Sequence, residues 1–404
     1  MTLRWPLVVA GVVLLALLVG NVVATHNVLT EPHPGHNDFL TVWEAARSAL
    51  RDGLDPYSAA TTLNIQQRIY GRPAEPDEFP NYYAYPYYTL FLVSPLVYSP
   101  YPWASAIAMV ALEVCLIAAL VLLLDLYGWR PRPWLLALLL LWVLTFYYAA
   151  RGLLLGQVSH AIYLLHVLAL WALARRYDAL VGAALALSTM KPQMGFLLVP
   201  LLLLWALRVG RWRLIGVFAG VFGALMLASF TLEPGWMGGW LDQVDSYTGY
   251  TRTGSPVWVV MQYYLGLGDV GEWALNALLW LWLAWVWYGV LLRDQAERLD
   301  WAVMLTLTIT HLSALRTATP HFVVFTVPLV FYLRRLDVQR RKGWIVGALA
   351  LLLIVPWAHF LLTVDDGFEH PSLYLLVPYG ALLLLWLTRR WWWAAPPVLN
   401  RVSS

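Results

Sequence analysis

The sequence predicts an all-α polytopic membrane protein, and three observations lead to that fold class. Of the 404 residues, 61% are hydrophobic and only 12% are charged, and the mean hydropathy is +0.64. Soluble domains carry about 25% charged residues, so this chain has too few to cover a water-facing surface. Long apolar runs recur from end to end, and they exceed the roughly ten-residue strands of membrane barrels. We therefore expect spanning helices, which satisfy their own backbone hydrogen bonds in lipid.

Charge and cysteine content exclude other classes of protein. The net charge of +3 is small and scattered along the chain, so a nucleic-acid partner is not expected. The single cysteine, Cys115, lies inside an apolar run and cannot form a disulfide framework or a cysteine metal site. The sequence also lacks a Walker loop, an HExxH motif and an Asp-x-Asp motif. We therefore expect neither a metal nor a cofactor.

Basic clusters predict the topology, because positive charge collects in the cytoplasmic loops of membrane proteins. Placing six clusters inside requires an even number of crossings between consecutive clusters. Apolar segments satisfy this condition and give twelve spans with both termini in the cytoplasm. The clusters lie at 130–132, 175–176, 208–213, 293–298, 334–342 and 389–390. The predicted spans are 5–24, 103–126, 135–150, 158–174, 179–190, 193–207, 214–232, 273–292, 301–314, 321–333, 343–363 and 373–388.

The twelve spans form one predicted transmembrane domain over residues 1–404. Its parts are the first span 5–24, an outer catalytic loop 25–102, spans two to seven in 103–232, a second outer loop 233–272, spans eight to twelve in 273–388, and a cytoplasmic tail 389–404. Segments 179–190, 193–207 and 321–333 are shorter than the roughly 20 residues that a bilayer core requires, so full crossing stays open for them. The first span also resembles a signal peptide. We interpret it as a signal-anchor because many hydrophobic segments follow it.

The outer loop 25–102 is long enough to indicate a function, since structureless loops of this length are uncommon. Its segment 39–51 has apolar residues at helical spacing on one face, which predicts an interfacial amphipathic helix. Segment 89–98 is short and contains Pro95, so we interpret it as a re-entrant or surface helix. We therefore expect the chemistry on the extracytoplasmic side of the plasma membrane.

Asp38 stands directly before the amphipathic segment and has two interpretations. Aspartate is a common helix N-cap, because its side chain accepts hydrogen bonds from free amides at a helix start. An acid at the level of the lipid headgroups is also open to a polar acceptor, from which it can take a proton. The two interpretations are compatible, and both stay open at this point.

Aromatic residues crowd the stretch NYYAYPYY at 81–88. Tyrosines at this depth are typical of the aromatic belt at a membrane interface. A tyrosine ring on a loop that dips into the bilayer is also well placed to stack on a sugar. The residues that we consider for this second role are Tyr82, Tyr83 and Tyr85.

Ionisable residues gather at the outer ends of predicted spans. An ionisable side chain in or beside the bilayer carries a free-energy cost, so we expect a function for each of them. Lys191 precedes the helix breaker Pro192, and it either extends its ammonium to the interface or binds an anion. His311, Arg316 and His321 lie within eleven residues of one another. The planar fork of arginine matches phosphate geometry, and a histidine can donate a hydrogen bond to a leaving phosphate.

Three further polar residues lie in or beside the spans. Gln157 reaches the outer side, either in a simple polar turn or as a ligand of the sugar or acceptor. Glu113 lies near the middle of span two and Arg151 near the outer end of span three. Each is expected to pair with a polar group inside the bundle, whose identity the sequence does not give.

Five short motifs follow one another along the chain. They are Asp38 followed by GLDPY at 53–57, YAYPYY and SPL within 83–96, GQVSHAIYLLH at 156–166, STMKPQ at 188–193 and TPHF at 319–322. In this order the chain resembles the GT-C glycosyltransferases, and within them glycosyltransferase family 87, which are mannosyltransferases dependent on polyprenol-phosphate mannose. The resemblance covers about residues 38–330, and the order of the motifs is its specific part. The chain departs from the family pattern at 84–87, where a tyrosine stands in place of a second proline.

The resemblance implies a GT-C-type bundle that moves a hexose, with mannose favoured, from a polyprenyl-phosphate donor to a lipid or glycan hydroxyl with inversion. It implies that Asp38 is the catalytic base and that His321 joins the active site. The donor phosphate would be bound by Lys191, Arg316 and His311, and the sugar or acceptor by Tyr82, Tyr83, Tyr85 and Gln157. Because the donor brings its own anionic leaving group, neither a nucleotide loop nor a tightly held metal is required.

Two other classes of function compete with the enzyme. A flippase or transporter of a lipid-linked sugar would show internal repeats and access from both sides, and no clear repeat is found. A non-catalytic membrane scaffold would show no clustering of ionisable residues. The polar groups gather on one predicted face, with the exception of Glu113, which favours the glycosyltransferase.

Overall fold

The computed structural model describes residues 5–33, 38–251, 253–293, 295–365 and 367–399. It is 78% helix and contains no β-strand within these residues; an isolated bridge joins Asp365 and Phe368. The all-α prediction is therefore confirmed. Residues 34–37, directly before Asp38, and Asp366 lie outside the described residues.

Nineteen α-helices are found within the described residues. They are α1 Trp5–Thr25, α2 Phe39–Asp52, α3 Ala59–Tyr70, α4 Leu90–Val93, α5 Tyr101–Leu126, α6 Pro133–Thr145, α7 Tyr147–Leu155, α8 Ser159–Ala174, α9 Asp178–Ser188, α10 Leu198–Arg208, α11 Trp212–Leu232, α12 Trp236–Tyr250, α13 Pro256–Trp258, α14 Gly268–Leu292, α15 Leu299–Ser313, α16 Thr326–Val338, α17 Lys342–Thr363, α18 Leu376–Leu387 and α19 Arg389–Ala394. Short 3-10 segments are Tyr87–Thr89, Ser94–Tyr98, Pro192–Met194, Ala296–Arg298, Thr319–Phe325 and Pro371–Tyr374, and π-helical segments are His26–Thr30 and Val259–Tyr264.

Five helices within the described chain are long and apolar enough to cross a membrane. They are Val8–Thr30, Tyr101–Leu126, Trp212–Leu232, Gly268–Leu292 and Lys342–Thr363. A sixth would be the pair α6 and α7, which meet at an angle of 50°. The other predicted spans coincide with shorter helices, so the count of twelve is not confirmed. The predicted topology stays a prediction.

The bend between α6 and α7 falls inside the segment 135–150, which was expected to be one straight span. Phe146 adopts an extended backbone, with a ψ of 146°, and so interrupts the helix. The interruption leaves the carbonyl of Thr145 without its helical partner, and Trp357 Nε1 of α17 donates to it at 2.9 Å. In the opposite direction, Trp142 Nε1 of α6 donates to Leu349 O of α17 at 3.0 Å. Two indole groups of α6 and α17 therefore support the bend.

The chain clusters into two compact units. Unit 1 comprises residues 1–115, 153–158 and 229–250, and unit 2 comprises 116–152, 159–228 and 251–404. The single domain over 1–404 stays a prediction.

Unit 1 is built around the amphipathic helix α2, which confirms the helix expected at 39–51. Its apolar face is buried by α3 and by residues 90–98, whereas the sequence led us to expect that face in lipid. Trp43 is 3% exposed, and its Nε1 donates to Leu96 O at 2.9 Å. The helix ends at Gly53, whose φ of 67° lies in the left-handed region that favours glycine.

The second predicted outer loop, 233–272, contains helices that the sequence did not indicate. The longest is α12, which packs against the segment around Tyr57. Gly239 permits this approach, because a Cβ atom there would lie 3.0 Å from Tyr57 Cβ. Helix α3 was also missed. Ser58 caps it by accepting a hydrogen bond from the amide of Thr61 at 3.3 Å.

Unit 2 has its core along α15, in which every residue is buried. The hydroxyl groups of three of its threonines each donate to the carbonyl four residues earlier, so they need no partner elsewhere. These are Thr306, Thr308 and Thr310. Helices α9 and α11 approach closely at Gly182, where a Cβ atom would lie 2.4 Å from Leu214 O.

Candidate functional site

In unit 1, Asp38 occupies the N-cap position of α2 with an exposed side chain. Its side chain makes no capping hydrogen bond, so the N-cap interpretation of the carboxylate is wrong. Instead, Gln157 Nε2 donates to Asp38 Oδ2. The amide of Asp38 donates to Leu155 O at 2.6 Å. The acid is therefore held at two points by residues 155–157 while it stays open to solvent.

The sequence predicts Gln157 as a ligand of the sugar or acceptor and contains no local signal of its contact with Asp38. The side chain of Gln157 is buried. An amide N–H that donates to a carboxylate restricts the rotation of that carboxylate. Gln157 can therefore fix the direction in which Asp38 points.

The first and second motifs of the chain meet in unit 1. Tyr57, the last residue of GLDPY, donates its phenol to Tyr85 O at 2.8 Å. Its ring lies 5.6 Å from that of Tyr83, centroid to centroid. Burial raises the pKa of Tyr57 far above its ordinary value, and the nearby Asp55 raises it further. The phenol therefore stays protonated and remains a hydrogen-bond donor.

The three tyrosines proposed for sugar stacking differ in exposure. Tyr83 is 1% exposed, and its hydroxyl donates to Pro86 O at 3.1 Å. Burial raises the pKa of Tyr83 well above its ordinary value. A ring this buried presents no face to a sugar, whereas Tyr82 and Tyr85 are half-buried. Stacking by Tyr82 and Tyr85 stays a prediction, and the burial of Tyr83 argues against its inclusion.

In unit 2, Lys191 is buried, with 2% of its surface exposed, so it does not extend to the interface. It lies close enough to His160 and His321 to interact with them electrostatically. Gly152 lies against His160, because a Cβ atom there would be 2.1 Å from His160 Cε1. With His166 and His311 these residues form what we call the histidine–lysine cluster: His160, His166, Lys191, His311 and His321.

The hydrogen bonds of His321 and His311 assign their neutral tautomers. His321 Nδ1 accepts a hydrogen bond from the amide of Ala318 at 3.4 Å, so the proton belongs on Nε2. His311 Nδ1 lies 2.8 Å from Leu307 O and must donate to it, which leaves its Nε2 without a proton. The Nε2 atoms of both rings are buried without a hydrogen-bond partner among the described residues. His321 can therefore donate to an anion, whereas His311 can do so only as an imidazolium.

Arg316 is half-buried in unit 2. Its Nε donates to Thr251 Oγ1 at 2.5 Å, and its Nη1 donates to Leu315 O at 3.2 Å. These two bonds orient the guanidinium group.

Glu369 is a functional candidate that the sequence reasoning missed. Its Oε1 accepts hydrogen bonds from Thr319 Oγ1 at 2.6 Å and from the Tyr147 phenol. Arg151 Nε lies 3.4 Å from the same oxygen, which identifies the partner of Arg151. Glu369 therefore supports the TPHF element at Thr319. The sequence pattern did not single out Glu369, because an acidic residue in a short polar loop is typical of a solvent-exposed position.

The partner of Glu113 is also identified. Asn21 Nδ2 of α1 donates to Glu113 Oε2 at 2.6 Å, which joins α1 to α5. Both residues lie in helices long enough to cross a membrane, where an interhelical hydrogen bond stabilises packing. We assign Glu113 a structural role on this ground. Among the described residues, no group of three or more His, Cys, Asp or Glu residues is arranged to hold a metal ion.

Comparison with known proteins gives one match. The model of glycosyltransferase family 87 matches residues 83–315, more than half of the chain. The match includes Gln157, Lys191 and His311 and ends directly before Arg316; Asp38 and His321 lie outside it. No curated protein and no solved structure matches the chain.

Proposed function

The chain belongs to glycosyltransferase family 87, and from this premise we propose its donor, its acceptor and its catalytic residues. It is a membrane glycosyltransferase. We propose that it moves a hexose, with mannose favoured, from a polyprenyl-phosphate donor to a hydroxyl of a lipid or glycan acceptor. The reaction would take place on the extracytoplasmic side of the plasma membrane.

The observation that carries the proposal is the position of Asp38. A general base must be accessible to the acceptor and held in one orientation. The carboxylate of Asp38 is exposed, and Gln157 holds it by a hydrogen bond. Its side chain makes no capping hydrogen bond to α2.

The reaction forms one bond and breaks another at the anomeric carbon. The acceptor oxygen attacks this carbon from the face opposite the phosphate, and Asp38 takes the hydroxyl proton as the new C–O bond forms. The bond between the anomeric carbon and the phosphate oxygen breaks, and the electron pair leaves with the polyprenyl phosphate. Attack from the opposite face inverts the anomeric configuration.

The leaving phosphate needs positive charge and donors, because negative charge develops on it. We propose that Lys191, Arg316 and His321 supply them. Lys191 is buried, so its charge is poorly screened by water. His321 would contribute the N–H of its Nε2 atom. His311 fits the predicted phosphate-binding role only when it is protonated, so we place it behind the other three.

The test uses purified protein in lipid vesicles that contain labelled polyprenyl-phosphate mannose and a lipid extract of the source cells. Wild type is compared with Asp38→Asn and with Asp77→Asn, which changes another exposed acid of unit 1. We expect transfer by wild type and Asp77→Asn, and a loss of about thousandfold in Asp38→Asn, the scale of general-base catalysis. Donor binding should be unchanged, because the substitution leaves the cationic residues in place.

Two results would contradict the proposal. Equal transfer by Asp38→Asn and wild type would remove Asp38 as the base. Movement of the donor across the bilayer without transfer to any acceptor would instead support a flippase. Replacing the donor by a nucleotide-linked mannose tests the donor class, and efficient transfer from it would exclude the lipid-linked donor.

A further inference from the structure

A cavity of about 570 Å³ lies in unit 1 along α2, and its lining includes residues of that helix from Leu40 to Arg51. This volume is typical of a pocket for a small molecule or a lipid headgroup. The residues that give it its chemistry are Trp43, Arg47, Arg51, Arg68, Tyr98 and Tyr101. None of them has a part in the proposed glycosyl transfer.

The cavity has an apolar end and a cationic end. Leu40, Trp43, Arg47 and Arg51 follow one another at spacings of three or four residues, so they form one stripe along α2. The stripe begins with apolar side chains and ends with two guanidinium groups. Arg68 of α3 adds a third, and its guanidinium carbon lies 5.1 Å from the ring centroid of Trp43. This polarity matches that of a lipid, whose apolar chains continue into an anionic headgroup.

The arginines are only partly neutralised. Glu44 is 1% exposed and pairs with both Arg47 and Arg68, and Asp52 pairs with Arg47 at 3.1 Å. Three guanidinium groups therefore face two carboxylates, one of which is buried beneath them. Arg51 is exposed and lies 5.9 Å from the ring centroid of Tyr98. No ion pair of Arg51 is found within the described residues, so its charge is available to a ligand.

The cavity lies where two apolar helices end. Tyr101 and Pro102 belong to the first turn of α5, which is long enough to cross a membrane. Thr30, the last residue of the apolar helix 8–30, donates its hydroxyl to Pro102 O at 2.7 Å. The ends of spanning helices lie at the headgroup level, where tyrosine and tryptophan are enriched. Tyr98 is 73% exposed beside the cavity.

The cationic end of the cavity is distinct from the proposed catalytic acid. Asp38 and Arg51 stand at opposite ends of α2, and at 1.5 Å per residue the helix separates them by roughly 20 Å. A phosphate bound by Arg51 therefore cannot be the phosphate that leaves the sugar beside Asp38.

We propose that this cavity binds the phosphate headgroup of an anionic phospholipid, with Arg51 and Arg68 on the phosphate and Trp43 and Tyr98 along the glycerol and upper acyl chains. This inference goes beyond the proposed transfer reaction and does not depend on it. It assigns to α2 a lipid contact at its C-terminal end, separate from the acid at its start.

The test measures lipid binding by native mass spectrometry of the purified full chain in detergent. Phosphatidylglycerol and phosphatidylcholine of equal chain length are titrated separately. We expect the wild type to retain phosphatidylglycerol more tightly. Arg51→Gln should weaken that binding about fivefold, the scale for one arginine at an anionic membrane surface. Arg51→Lys, which keeps the charge, should retain most of the affinity.

Arg72→Gln is the matched control, because Arg72 is an exposed arginine of unit 1 outside the cavity; it should bind lipid as the wild type does. Equal retention of the two lipids by the wild type would overturn the proposal, and so would equal binding by Arg51→Gln. Inorganic phosphate is added in competition at the same concentration as phosphatidylglycerol. Displacement of the lipid would show a site for free phosphate and overturn the lipid assignment.

Discussion

Asp38 of unit 1 and Lys191 of unit 2 carry opposite charges in opposite surroundings. Asp38 is exposed; its carboxylate accepts a hydrogen bond from Gln157, and its backbone amide donates one to Leu155 O. Lys191 is buried and lies close to His160 and His321. An exposed charge contributes little to the free energy of unfolding, whereas a buried charge carries a desolvation cost. Substitutions of Asp38 should therefore change activity with little change in stability, whereas substitutions of Lys191 can change both.

After Asp38→Asn, the largest effect is expected for Lys191→Met, which tests the buried member of this pair. Loss of one charged donor at a developing anion typically costs about hundredfold in rate. We therefore expect about hundredfold slower transfer, measured by initial rates on protein whose folding is checked by scanning fluorimetry.

Lys342→Met is the control for this substitution, because Lys342 is the other lysine of the chain and lies at the start of α17. It should leave transfer unchanged. Full activity of Lys191→Met would exclude Lys191 from phosphate binding.

Gly152→Ala should act mainly on stability. The added Cβ would lie 2.1 Å from His160 Cε1, so the buried ring must move. Overpacking of this kind costs about 1–3 kcal/mol in the free energy of unfolding. Thermal unfolding in detergent measures the effect. Gly216→Ala in α11, where nothing lies within 4 Å of the added Cβ, should not destabilise the protein. A melting temperature of Gly152→Ala equal to the wild type would show that the cluster adapts freely.

Gln157→Ala tests how the exposed carboxylate of Asp38 is held in position. The substitution removes the amide that holds the carboxylate of Asp38, whereas the backbone bond to Leu155 O stays. We expect about tenfold slower turnover, the scale of one lost orienting hydrogen bond, with the KM for the donor unchanged. Gln67→Ala, at an exposed glutamine of α3, is the control. A raised donor KM without a change in turnover would instead support sugar binding by Gln157.

The smallest effect is expected at an exposed ion pair of unit 1. Arg72 holds the pKa of Glu78 below its ordinary value through a hydrogen bond. A lowered pKa in the folded state stabilises the fold above the unfolded pKa, and this stability is lost as the pH falls through the folded pKa. Glu78→Gln should therefore lower the melting temperature slightly at pH 7, and this difference from the wild type should shrink as the pH falls through the folded pKa. If the difference in melting temperature between Glu78→Gln and the wild type grew as the pH fell, a lowered pKa of Glu78 in the folded state would be contradicted.

The sequence predicted the positions of the long apolar helices better than it predicted their bends and their tertiary contacts. Apolar length located the segments at 101–126, 212–232 and 342–363 within a few residues, because a helix in lipid must be long and apolar. The same signal could not give the bend at Phe146, since the residue is as apolar as its neighbours. Helix α12 was not predicted, because its glycines and polar residues are typical of a loop. Its contact with Tyr57 is a tertiary interaction, which periodicity does not report.

The candidate site was predicted in part. Asp38 was located from its place before an amphipathic segment, and the structure shows it exposed and held. Its contact with Gln157 joins residues 119 positions apart, a distance over which local patterns carry no information. Glu369 was missed for the same reason, because its contacts with Arg151 and Thr319 depend on the fold.

The bend between α6 and α7 also constrains the order in which the protein can be completed. The carbonyl of Thr145 is synthesised 212 residues before Trp357, the indole that it binds. An unpaired carbonyl in lipid is costly, so we expect the bend to be unsupported while the intervening chain is made. The first half of unit 2 would then reach its final shape only after α17 has inserted. Segments translated early would thus depend on one translated late.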